Sequence, residues 1–115
     1  MHGEVAKRRP VIVVGTQSVN SETLMIAVVA CTSTVFADNK DAIELPNRQQ
    51  MPQTHSGLIK RTWAIPYWYA FVKTDRVRDR IGYISGPLLR RVVEEFAIHF
   101  AIAKARREAA KKNNP

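Results

Sequence analysis

The sequence predicts a mostly β chain, a small antiparallel sheet or barrel covered by a single C-terminal α-helix. Three observations carry that prediction. Short apolar runs rich in β-branched and aromatic residues follow one another as far as Ile84, each closed by a turn signal. From Ser85 onward the apolar residues change to helical spacing. Nowhere do strands alternate with helices, as a parallel nucleotide-binding sheet requires.

Residues 1–10 read as a polar, basic loop ending at Pro10. Val11 to Val14 is a β-branched run stopped by Gly15, and the polar stretch Gln17 to Glu22 forms a turn. Leu24 to Ala30 is a second apolar strand that pairs with the first as a hairpin. Both runs are apolar at every position, which places them near the centre of the sheet. Ala42 to Leu45 reads as a short edge strand closed by Pro46. Residues 46–57 hold two prolines and no periodicity, so an exposed loop is expected. Thr62 to Thr74 is a strand rich in aromatic and β-branched residues. Pro66 interrupts it with an edge, a bulge or a strand start. Arg80 to Ile84 is expected as a last short strand.

The helix follows. Ser85 suits the N-cap and Pro87 the first turn. Leu88, Leu89, Val92, Val93, Phe96 and Phe100 share one face, with Arg90, Arg91, Glu94 and Glu95 turned away. Fraying is expected over Lys104 to Pro115, so the chain divides into a domain over residues 3–103 and a basic C-terminal tail over 104–115.

At 115 residues the chain is one domain. Eighteen Lys and Arg against ten Asp and Glu leave a net charge of +8. That excess favours a polyanionic partner, against the competing explanation of a solubilising charge with a basic tail. The lone cysteine, Cys31, excludes an internal disulfide and lies in an apolar run, as a buried thiol does. No signal-peptide pattern opens the sequence, because Gly15, Gln17, Ser18 and Asn20 break the apolar stretch early. No window holds the ~18 uninterrupted apolar residues of a membrane span. A cytoplasmic protein with no membrane partner is expected.

The residues also narrow the chemistry. There is no phosphate-cradling glycine loop followed by Lys, no H-E-x-x-H and no paired Cys/His spacing. His2, His55 and His99 fall in a terminus, a loop and a helix, and His99 reads as a helix-face residue. No metal and no cofactor are therefore expected. RNA supplies its own nucleophile, the 2′-hydroxyl, and its cleavage then needs a proton acceptor, a stabiliser of phosphorane charge and a donor to the leaving oxygen. The rigid fork of an Arg suits the second task, and a hydroxyl side chain positions the phosphate. Arg8 and Arg9 precede the first strand, and Thr32, Ser33 and Thr34 follow the second. Antiparallel pairing sets the start of one strand beside the end of the other, so Arg9 and Thr32 are expected together. On spacing alone, a surface Arg without a phosphate and a strand-end turn Thr are the favoured explanation of the two.

The same residues carry a family resemblance. Gly3-Glu4 with Lys7-Arg8-Arg9-Pro10-Val11-Ile12-Val13-Val14 resembles the G-x-E … R-P-V-x-V-V segment of the MazF/PemK toxins. Val28-Val29-Ala30-Cys31-Thr32-Ser33 resembles their apolar strand ending in Thr-Ser, and Asn20 sits where an asparagine precedes it. Glu44-Leu45-Pro46 and Gly57 to Ala64 are similar to L-P … G-L-x-K-x-S-x-x. Lys73 to Val77 and Arg80 to Ser85 look like R-T-x-D-x-x-R-L and R-x-G-x-L-S. The resemblance spans residues 3–103. It implies an SH3-like barrel of MazF/PemK/CcdB type, a homodimer, metal-independent cleavage of single-stranded RNA (mRNA) at short sequences, and neutralisation by a cognate antitoxin.

Residue by residue, the family's Arg before Pro corresponds to Arg9 and its strand-end Thr to Thr32, the catalytic pair. Arg8, Ser33, Lys60, Arg61, Lys73 and Arg76 are the candidate RNA-binding residues. The aromatics of residues 60–78 fit stacking on bases, with core packing as the competing explanation. Met1 falls inside the loop that follows the family's first strand, so that strand is expected to be missing. The acidic and polar pattern around Ile65 to Tyr69 is replaced by Pro66, Tyr67, Trp68 and Tyr69. Two other functions remain open at this point: a non-catalytic barrel that binds RNA or a protein, and a gyrase-targeting toxin of the same fold.

Overall fold

The computed structural model describes residues 9–18, 24–34, 39–77 and 79–112. They form strands β1 (Val11–Ser18), β2 (Leu24–Thr32), β3 (Ile43–Leu45) and β4 (Thr62–Lys73), a 3-10 turn (Thr74–Arg76) and helix α1 (Gly86–Lys112). The strands make one antiparallel half-barrel sheet in the order β1-β2-β4-β3, with α1 packed on one face. The mostly β architecture with a C-terminal helix is thus as expected. The strand expected to be missing would precede residue 9 and lies outside the described residues.

β2 is the centre of the sheet. It pairs with β1 from Leu24 to Ala30 and with β4 from Met25 to Thr32. Val29 and Cys31 point into the core, where Ile43, Leu45, Leu58, Ala64 and Val92 meet them. β1 does not share that position. It is one edge of the described sheet, with Val11 and Val13 exposed while Ile12 and Val14 pack against the core. A β-branched run reports the preference for an extended backbone, not burial of both faces. Nor does Gly15 end the strand. It follows a register shift between Val13 and Gly15, a bulge that lets the strand continue to Ser18.

A larger shift bends β4. Val29 pairs with Tyr69, yet Cys31 pairs with Ala64, so β4 carries extra residues around Pro66. Pro66 cannot donate to a ladder, and it is buried inside this irregularity. On the N-terminal side of the bulge β4 also pairs with β3; beyond it, Tyr67, Tyr69 and Phe71 turn to the helix. Tyr69 meets Phe96 at 5.3 Å and Phe71 meets Phe100 at 5.6 Å between ring centroids, both edge to face. Each such pair contributes on the order of 0.5–1.5 kcal/mol beyond its buried area. Core packing thus accounts for Tyr69 and Phe71, while Trp68 remains exposed.

The helix starts where expected. Leu88 N–H donates to Ser85 Oγ at 3.3 Å and Leu89 N–H to Ser85 O at 2.9 Å, an N-cap. It does not fray at Lys104 but runs on to Lys112, so the basic stretch as far as that residue is helical. Ala, Lys, Arg and Glu dominate those last turns, and all are strong helix formers.

Two segments differ from expectation and explain each other. Residues 46–57 are mostly exposed, yet Asn47 and Ser56 are fully or nearly buried. Asn47 Oδ1 accepts from Gln50 N–H, and Ser56 Oγ donates to Pro46 O at 2.7 Å, so the loop is pinned by its own side chains. Arg80 to Ile84 is not a strand. It runs against this loop, with Tyr83 N–H donating to His55 O at 2.8 Å. The approach is close enough that only glycine fits at two points. A Cβ on Gly57, which also has φ 75°, would strike the Ile81 carbonyl, and one on Gly82 would strike the His55 carbonyl.

Gly82→Ala is expected to lower stability by about 1–3 kcal/mol through this backbone clash. Gly86→Ala, where an added Cβ meets nothing within 4 Å, should be neutral or mildly stabilising. Urea titrations of both variants check the contrast. Burial pushes the Cys31 thiol up from its ordinary 9.0 to about 12. The fold therefore favours the neutral thiol, and this contribution is complete below pH 9.0 and lost as pH rises toward about 12. Iodoacetamide at pH 8 should leave Cys31 unmodified in the folded chain and alkylate it in denaturant.

Candidate functional site

Strand pairing sorts side chains into two faces, because directly opposed residues point the same way and successive ones alternate. Cys31, Ala64 and Ile43 are in register across β2, β4 and β3, all at 0–2% exposure beneath α1. The adjacent row, Thr32, Trp63 and Glu44, must face away from the helix. β1 joins the rows at its start. Cys31 N–H donates to Pro10 O at 3.1 Å, and Val11 pairs with Ala30. One more step along this register sets Arg9 beside Thr32, on the outer face that Val11 and Val13 also occupy.

Arg9 is exposed, with its guanidinium available to an anion. Thr32 is half-buried, and its Oγ1 accepts a hydrogen bond from Thr34 N–H at 3.1 Å. That turn fixes the oxygen and leaves the hydroxyl proton available for donation. Ser33 is exposed in the same turn.

Further along the row, Arg61 Nε and Nη2 donate to Glu44 Oε2 and Oε1 at 2.7 and 3.1 Å. This bidentate pair holds the Glu44 carboxyl below its usual range and raises Arg61. The guanidinium also lies over the Trp63 ring at 5.0 Å, and Trp63 is only 4% exposed. Because both partners stand in solvent, the pair fixes geometry more than it adds stability.

The residues expected to contact RNA are therefore not one cluster. Arg9, Thr32, Ser33, Lys60 and Arg61 are gathered at one end of the sheet, where Lys60 leads into Arg61. Lys73 pairs with Met25, seven residues up β2 from Thr32, which is about 23 Å at ~3.3 Å per residue. Arg76 follows it in the 3-10 turn. Arg8 lies outside the described residues.

Sequence reading missed Glu44, whose place in the row depends on pairing between distant strands. It also missed an open cleft of about 590 Å³ beside Glu44, lined by Pro46, Gln50, Thr54, His55 and Tyr83 among others. His55 stacks on Tyr83 there at 5.1 Å, and the Arg80 guanidinium lies 5.9 Å from the Tyr83 ring. The cleft is built from the loop and the segment read as a strand, so no local pattern announced it.

Among the described residues no helix is long and apolar enough to cross a membrane. Comparison with curated proteins and with solved structures finds no significant match to either. A family model does match, over residues 2–100, and it describes PemK-like and MazF-like toxins of type II toxin–antitoxin systems. Nearly the whole strand-and-helix unit falls within that span, and on this ground the chain belongs to the PemK-like, MazF-like toxin family.

Proposed function

We propose that this toxin is a metal-independent endoribonuclease that cuts single-stranded RNA at Arg9 and Thr32. One observation carries the reading. Pro10 accepts from Cys31 N–H and Val11 pairs with Ala30, a register that supports the exposed Arg9 lying near the strand-end Thr32, in a chain of a toxin family.

In the proposed reaction the RNA 2′ oxygen bonds to phosphorus as the bond to the 5′ oxygen breaks. One proton leaves the 2′-hydroxyl and one reaches the departing 5′ oxygen, giving a cyclic phosphate and a 5′-hydroxyl. Arg9 donates to the phosphorane oxygens as negative charge develops, and it serves in the proton transfer. The Thr32 hydroxyl donates to a phosphate oxygen and fixes its orientation. Ser33, Lys60 and Arg61, with Arg8, hold the flanking backbone. Lys73 and Arg76 meet RNA only if it runs the length of the sheet. Unpaired RNA suits the reaction because a duplex holds its backbone away from in-line attack.

A type II toxin has an antitoxin as its partner, and an acidic, flexible antitoxin segment suits the basic end of the sheet. The reading includes a homodimer acting in the cytoplasm, where mRNA and reducing conditions coincide. The lone buried thiol suits such conditions.

The purified chain, incubated with a long RNA in EDTA, is expected to produce discrete cuts ending in cyclic phosphate or 3′-phosphate. Arg9→Ala should slow cleavage by roughly 10²–10³-fold, the cost of removing one preorganised donor. Thr32→Ala should reduce the rate less. Cuts of undiminished rate in the double variant would sink the assigned site. Intact RNA with a folded wild-type chain would leave a non-catalytic binder or a toxin with a protein target such as gyrase.

A further inference from the structure

Three chemistry-bearing side chains converge on the opposite edge of the sheet from Arg9, on its helix side. Glu95 and His99 are one turn apart on α1, which sets their side chains next to each other. Asp41 reaches them from the turn that precedes β3. One donor atom from each lies within 4.8 Å of the others, with Asp41 exposed and Glu95 and His99 half-buried.

The surroundings hold this arrangement in place. Asn39 Oδ1 accepts from Asp41 N–H at 2.9 Å, which shapes the turn. Asn39 Nδ2 donates to the Tyr67 hydroxyl at 2.7 Å, and the Tyr67 ring meets the His99 imidazole edge to face at 5.4 Å. The turn, β4 and α1 are thereby tied around the cluster. Neither carboxylate pairs with a described Lys or Arg, in a chain with eighteen such cations. Two carboxylates brought together without a cation repel one another, and a divalent ion would convert that repulsion into three bonds.

From this juxtaposition we infer that Asp41, Glu95 and His99 form a site for a first-row transition-metal ion, with Zn²⁺ as its probe. A nitrogen donor with two carboxylate oxygens suits Zn²⁺ and disfavours Mg²⁺ and Ca²⁺, which take oxygen ligands. A tetrahedral ion with bonds of about 2.0–2.1 Å needs donors about 3.3 Å apart, so side-chain rotations of about 1 Å close the site. Three protein ligands leave a fourth position for water. The ion joins α1 to the turn before β3, two segments more than fifty residues apart, and so acts as a clip on the helix. The cleavage reading does not depend on it, since Arg9 and Thr32 belong to the other face.

The test uses the full, tag-free chain stripped with EDTA and dialysed, with no RNA present. Zn²⁺ titrated by calorimetry should bind one per chain, and saturation should raise Tm by about 5 °C or more. Mg²⁺ at the same concentration should leave Tm unchanged. His99→Gln and Asp41→Asn should each weaken binding at least tenfold, while His55→Gln and His2→Gln should leave it intact. Asp41 is exposed, so its variant remains informative if His99→Gln fails to fold. Absence of Zn²⁺ binding to the folded wild type, or binding unchanged in Asp41→Asn, overturns the site.

Discussion

The pairing of β2 with two neighbours at once is the constraint on which the rest of the molecule depends. Most rows across the sheet pass through this strand, so its register decides much of what meets what. Val29 and Cys31 then face the core, and Ala30 and Thr32 face away from it. A slip of one residue would exchange those faces, burying Thr32 and exposing Cys31. Burial of Val29, Cys31 and Ala64 beneath Val92 resists that slip, and it sets the position of Arg9 through the bond from Cys31 to Pro10.

The bulge at Pro66 is the second device. One strand serves two purposes because it bends there. Its first residues complete the sheet with β3, and its later aromatics reach α1. The helix packs on one face only, which leaves the other for Arg9, Thr32 and the Arg61–Glu44 pair. Separation of core and proposed catalytic face is therefore a consequence of alternation in a strand, with no separate element needed to build the site.

The two segments outside the sheet show a different principle. Residues 46–57 carry buried polar groups because the loop satisfies them itself, through Asn47 and Ser56. The chain before the helix lies on that loop, locked by the facing glycines at 57 and 82. The pairing of His55 with Tyr83 and the cleft beside Glu44 follow from this contact.

What the sequence alone determined is local. The β-branched runs at 11–14 and 24–30, the N-cap at Ser85 and the apolar helix stripe are patterns within one element, where backbone preference and periodicity act over a few residues. The antiparallel pairing of the first two strands also followed from sequence, since the two apolar runs are adjacent in the chain. Tertiary structure decided the rest. It made β1 an edge, kept 80–84 out of the sheet, separated Lys73 and Arg76 from Thr32, and brought Asp41 to Glu95 and His99. Each of those outcomes depends on contacts between segments far apart in the chain, whose relative positions no short window of residues encodes.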